Sequence, residues 1–222
     1  MNVIDLSQPL HEGAPVCPAY PMPTVEHIRG VNRERWEVEM VTMAVHSGTH
    51  MDAPSHKLKQ WKGFSDFPLT HFHGKAVIAD FRDLPKRWKI RQHELERRLP
   101  RNLTDRFVLI ATGWGYLGHE TIGWAEEVPH ISSDAAQWLV DKKIRAVGID
   151  HWTIGGPKEP EDSLTHVILM AKNIFIIENM RFPDEVFALR QPFEFWTLPI
   201  HMPKFSGAFC RPVAIDRSRA TP

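Results

Sequence analysis

Apolar and polar positions alternate through residues 36–46, where Val38, Met40, Thr42, Ala44 and His46 share one face of an extended chain. Val41, Met43 and Val45 make the opposite face apolar as well, so the pattern predicts a strand buried on both sides. Further strands are predicted at residues 75–81 and 106–112, and residues 91–99 read as a short, charged, exposed helix. The period then changes. Residues 132–143 carry Ala136, Leu139 and Val140 at helical spacing, with Ser132 or Ser133 as the cap. Residues 146–150 form a short apolar strand, residues 164–172 a helix opening with Thr165, and residues 174–178 another strand. This alternation predicts an α/β fold with parallel pairings in the second half, behind a first half richer in β. Four prolines between Pro15 and Pro23 forbid helix there and favour a stiff, extended loop.

Composition narrows the class. The chain has 222 residues, 42% hydrophobic and 24% charged, which predicts one globular domain over residues 1–222 and excludes disordered, collagen-like and coiled-coil chains. Lys plus Arg and Asp plus Glu number 27 each, so no basic excess points to a nucleic-acid partner. No apolar run approaches the ~18 residues of a membrane span, and the first residues lack the basic and apolar parts of a signal peptide. Cys17 and Cys210 make no CxxC pair and read as free thiols in a reducing compartment, so the expected location is the cytoplasm.

The count of 13 histidines changes the picture, because several of them crowd together. His46, His50, Asp52 and His56 fall within eleven residues, with Gly48 and Pro54 breaking regular structure between them. Imidazole and carboxylate are the usual ligands of Zn²⁺ or Mn²⁺. The lack of thiolates argues against a closed structural zinc site and for a hydrolytic site with a position open to water. The spacing is not HExxH, so peptidase chemistry is not implied. Downstream, His166 lies in the predicted helix, and Glu178 closes the apolar run Ile174-Phe175-Ile176-Ile177. A carboxylate there is costly to bury unless it is paired or metal-bound; the alternative is a solvated strand end. His11, His27, His71, His73, His93 and His119 read as surface or satisfied core residues. Trp36, Trp61, Trp88, Trp124, Trp138 and Trp196 read as core or interface residues.

The segment from His46 to His56 closely resembles the signature of the cyclase family of metal-dependent hydrolases, which includes bacterial kynurenine formamidase and isatin hydrolase. The likeness extends to Asp5-Leu6-Ser7-Gln8-Pro9-Leu10, taken as an opening strand, to Thr112-Gly113-Trp114, to Val147-Gly148-Ile149-Asp150, and to His166 with Ile176-Ile177-Glu178-Asn179. The resemblance implies a swivelling β/β/α domain, a mixed sheet with flanking helices, in a homodimer. It implies that His46, His50 and Asp52 hold one ion, that Asp52 bridges to a second held by His166 and Glu178, and that His56 is the general acid/base. Some members hold a single ion, so one or two Zn²⁺ or Mn²⁺ are expected per subunit. The implied activity is hydrolysis of a C–N amide or imide bond in a small aromatic or cyclic substrate by metal-activated water, arylformamidase-like or isatin hydrolase-like, with lactones also in range. Tyr20 stands where kynurenine formamidases tend to place a tryptophan against the substrate ring. His151 and Trp152 are either pocket-lining or packed on the core. Rival readings are a non-catalytic metal-binding protein on the same fold and a lyase or cyclase.

Overall fold

The computed structural model describes residues 1–30, 36–59, 62–118 and 121–217; Trp61 and His119 lie outside them. Thirteen strands and four helices follow one another among these residues. They are β1 (Asn2–Asp5), β2 (Thr24–Arg29), β3 (Val38–Thr42), β4 (His50–Asp52), β5 (His73–Asp80), β6 (Lys89–Ile90), α1 (Gln92–Arg98), β7 (Phe107–Ala111), β8 (His130–Ile131), α2 (Ser133–Asp141), β9 (Ala146–Ile149), α3 (Glu161–Met170), β10 (Phe175–Glu178), α4 (Asp184–Phe187), β11 (Phe193–Trp196), β12 (Gly207–Phe209) and β13 (Val213–Asp216). Nine strands form one mixed, curled sheet in the order β1-β13-β11-β5-β7-β9-β10-β4-β12.

The centre of that sheet is parallel: β5, β7, β9 and β10 pair in register, as the strand–helix alternation predicts. The period of two sorts their side chains. Ala76, Ile78, Phe107, Leu109 and Ile177 enter one core with Phe64, Phe72, Phe182 and Phe195. Val77, Ala79, Val108, Ile110, Val147 and Ile176 enter the other, beneath Leu95 of α1, Ala136 and Leu139 of α2, and Leu169 of α3. Ser132 caps α2 by accepting from the Ala135 amide. The helix expected from residue 164 begins earlier, at Glu161, because Glu161 and Asp162 suit the positive end of the helix dipole directly after Pro160.

Two expectations fail. The alternating segment 36–46 is not a buried strand. Its regular part, β3, pairs only with β2 in a separate two-stranded sheet, and Met40 and Val41 are 48% and 47% exposed. The opening strand is Asn2–Asp5, upstream of most of the segment taken for it, because β1 pairs with β13 only as far as Asp5. Of the tryptophans, Trp124 and Trp138 are buried, whereas Trp36 is 70% exposed. Among the described residues no helix is long and apolar enough to cross a membrane.

Candidate metal centre

The site is built where β4 enters the large sheet between β10 and β12. Strand alternation sends Met51 into one core and holds His50 and Asp52 together on the opposite face. The register sets His50 directly across from Glu178, and Asp52 across from Ile176. The α3 helix covers that same face and delivers His166. Met51, His50 and Asp52 are each 0–1% exposed. The loop before β4 carries His46, and the short turn after it carries His56. Thus a three-residue strand, too short to stand out in the sequence, carries two of the six clustered side chains and its flanks two more.

The six converge. His46 Nδ1 lies 2.6 Å from Asp52 Oδ1. His50 Nε2 lies 3.3 Å from the same oxygen and 3.7 Å from Glu178 Oε2. His166 Nε2 lies 3.4 Å from Glu178 Oε1 and 3.8 Å from Asp52 Oδ2. The His56 ring lies tilted against His46, with centroids 4.0 Å apart, and 6.2 Å from His166. A cavity of about 80 Å³ opens onto His46, Asp52, His56, His166 and Glu178, with Cys17, Tyr20 and Trp152 in its wall. Tyr20 is 6.4 Å from His46, centroid to centroid. His151 instead packs between Trp114, Trp124 and Trp152, away from the cavity.

The hydrogen bonds around the cluster orient its nitrogens. His50 Nδ1 donates to the Gly48 carbonyl at 2.9 Å, and His166 Nδ1 to the Asp162 carbonyl at 2.8 Å. A proton fixed on Nδ1 leaves the Nε2 lone pair aimed at the two carboxylates, as metal-ligating imidazoles are held. His50 Nε2 is buried and makes no hydrogen bond. A buried polar atom with no partner costs free energy, and a cation beside Asp52 and Glu178 would supply that partner. The donor set is oxygen and imidazole nitrogen, which suits a divalent ion. The residues therefore fit a metal. His46 differs from the others, since Nε2 contacts Ser206 Oγ at 3.0 Å while Nδ1 is engaged with Asp52.

Electrostatics agree with this crowding. Burial raises the Asp52 carboxyl, but the hydrogen bond from His46 and the adjacent His50 imidazole outweigh it and hold it well below the usual range. Burial, with Asp52 close by, pushes Glu178 up. Burial disfavours the His166 imidazolium, yet Asp162 and Glu178 raise its pKa well above the ordinary value. His56 has no such carboxylate bond, and burial pulls it down to about 4, so it is neutral near pH 7.

Several contributors have weak sequence signals. Asp162 lies four residues before His166, the spacing of helical neighbours, and its carboxylate sits 3.1 Å from Nδ1. The Ile154 amide donates to Glu178 Oε1 at 2.9 Å. Ser206 and Gly207, at the start of β12, press against His46; a Cβ on Gly207 would fall 2.6 Å from His46 Cε1. Nothing in the local sequence marks that close approach.

Known proteins with this architecture do related chemistry. The profile of the family described as "Putative cyclase" matches residues 4–155. A kynurenine formamidase from Bacillus cereus is 29% identical over 179 residues, spanning 80% of this chain and 81% of its own. A solved structure of a potential metal-dependent hydrolase with cyclase activity is 26% identical, covers 98% of this chain and 99% of its own, and superposes with a TM-score of 0.80. Isatin hydrolase A from Labrenzia aggregata shares the fold at a TM-score of 0.82, with 19% identity over 96% of this chain and 93% of its own.

Proposed function

Since the chain belongs to the Cyclase family, we propose that it is a metal-dependent hydrolase that cleaves a C–N amide or imide bond in a small substrate. The observation that carries this reading is the convergence of His50, Asp52, His166 and Glu178, with the unpartnered His50 Nε2 at its centre. These four would hold one or two divalent ions, zinc or manganese. His46 would join them by exchanging its contact with Asp52. When bound, such an ion supplies Lewis acidity for a carbonyl oxygen and acidifies water at neutral pH.

The remaining work falls to the chain's own side chains. His56, neutral and facing the same cavity, accepts a proton at an imidazole nitrogen as water attacks the carbonyl carbon. It returns that proton to the leaving nitrogen, so the C–N bond breaks to give a carboxylic acid and an amine from an amide, or a carboxylic acid and an amide from an imide. Tyr20 and Trp152 form the wall against which a planar acyl or aryl group rests. Asp162 and the Gly48 carbonyl keep His166 and His50 in the tautomer that binds. We assign the whole chain to one domain, working as a homodimer in the cytoplasm.

The test is metal analysis of the purified protein with turnover of N-formylkynurenine, isatin and a lactone, each followed by product mass. A bound divalent ion is expected, with a single product one water heavier than isatin or the lactone, or formate and a free amine whose masses sum to N-formylkynurenine plus one water. Protein that neither binds a divalent ion nor turns over any of these with ions added overturns the assignment.

A further inference from the structure

Along the segment 47–49, between His46 and β4, lie two adjoining clefts of about 680 and 280 Å³, neither lined by His56. They share Gln8, Pro9, Gly48, Tyr116 and Arg181. The Gln8 amide is spent on the Gly115 and Met180 carbonyls, but three other groups of the lining are not so engaged. The Arg181 guanidinium stacks over the Tyr116 ring at 4.5 Å and has no carboxylate at ion-pair distance among the described residues. The other arginine of the larger cleft, Arg211, is paired with Asp5 at 2.7 Å. Asn179, 4% exposed, lines the smaller cleft, and its Nδ2 has no hydrogen-bond partner. Ser47, fully buried, lines the larger one, and its Oγ has none either. Asp150 also reaches the smaller cleft, but its oxygens are turned to Thr112 and Gly113, accepting from Thr112 Oγ1 at 2.6 Å, Thr112 N at 2.9 Å and Gly113 N at 2.8 Å. The unspent charge at the seam is therefore positive.

The smaller cleft is walled by Trp114, Tyr116 and Trp124. Trp114 has already placed its Nε1 proton on the Trp124 carbonyl at 2.9 Å, so its ring offers an apolar surface. A free cation and a rotatable amide beside aromatic walls are complementary to an anion with a flat apolar body. An amide side chain can turn either its oxygen or its nitrogen to a ligand by rotating about χ2. The smaller cleft, at 280 Å³, falls just below the range of about 300–1,000 Å³ usual for ligand pockets, which favours a single ring.

We propose that these clefts form a second small-molecule site, separate from the metal centre, that takes a small aromatic carboxylate. The carboxylate sits on Arg181 within reach of the Asn179 amide, and the ring lies against Trp114 and Tyr116. This site reaches the metal centre through two links. Thr49 Oγ1 donates to the Asn179 carbonyl at 2.6 Å, and Thr49 and Asn179 directly adjoin His50 and Glu178 in the chain.

The experiment is calorimetric titration of the metal-loaded protein with phenylacetate, and with uncharged phenylacetamide as the control. Emission from the tryptophans is followed in parallel. Saturable one-to-one binding of phenylacetate with a change in emission is expected, and binding of phenylacetamide at least tenfold weaker. Arg181→Gln should weaken phenylacetate about ten- to a hundredfold, the range of a hydrogen bond to a charged group, and Arg181→Lys should restore part of it. Protein stripped of metal by a chelator should bind as before. Binding that vanishes with the metal and ignores Arg181→Gln would place the carboxylate on the ion and overturn the proposal. Equal binding of acid and amide, or no saturation, would also overturn it.

Discussion

Asp52→Asn tests whether the buried cluster is a metal centre or a self-contained polar network. Asp52 is the residue on which His46, His50 and His166 converge, at 2.6, 3.3 and 3.8 Å. The substitution keeps the shape and an acceptor oxygen but removes the charge. The direct cost is the charge assistance of the bond from His46, about 1.5–3 kcal/mol. For a chain of this length 1 kcal/mol moves Tm by about 2–4 °C, so the variant should melt about 3–12 °C lower whether or not an ion is present. A second effect appears only with the ion. At a hundred times its Kd, a ligand of the folded state adds about 2.7 kcal/mol, or about 5–11 °C in the wild type. Asp52→Asn should lose most of that increment, because a neutral amide replaces the carboxylate on which His46, His50 and His166 all converge. The assay is four melting curves, wild type and variant, each with chelator and with saturating ion. The quantity that decides is the difference of differences. If both proteins gain the same Tm from the ion, Asp52 is a structural partner of His46 and the ligand assignment fails.

Three further outcomes follow from the same geometry. His56→Asn should retain its metal while kcat falls about 10²–10⁴-fold, the usual loss of a general acid/base; metal loss on elemental analysis would move His56 among the ligands. Gly207→Ala should weaken metal affinity without altering any ligand, since its Cβ would fall 2.6 Å from His46 Cε1 and force the ring to shift; an unchanged metal titration would remove His46 from the site. Stability should fall as pH drops below about 6.5, because burial holds His151 neutral in the folded protein while the unfolded chain takes up its proton there. His151→Phe should then reduce the slope of unfolding free energy against pH by up to about 1.4 kcal/mol per unit, read from denaturant titrations at pH 5 and 7, and an unaltered slope would contradict the buried neutral imidazole.

The central sheet was readable because its strands are buried on both faces, and double burial writes a continuous apolar run such as Phe107–Ala111. The ligand candidates were readable from the density of histidine between His46 and His56 and from an acid closing the run at Glu178. The β4 strand was not, since its three residues owe their extended form to β10 and β12 rather than to local preference. Residues 38–42 misled for a related reason. Alternation reports a strand, but whether that strand joins the large sheet depends on partners far along the chain, and β3 has only β2. Ser206 and Gly207 leave no trace, because close packing against His46 is a property of the folded sheet alone.

The position of β4 also bears on how the protein comes into being. Its two sheet neighbours are β10, starting at Phe175, and β12, ending at Phe209. On a ribosome the N-terminal part emerges first, so His46, His50, Asp52 and His56 are made early and enclosed late. Such non-local pairing is slow to form, since a long stretch of chain must close before the contact stabilises it. A message truncated between Glu178 and Ser206 would still encode all six clustered side chains. Its product would lack β12, leaving one edge of β4 unpaired and His46 without the backing of Ser206 and Gly207. A gene survey that counts ligands alone would score such a fragment as an intact enzyme.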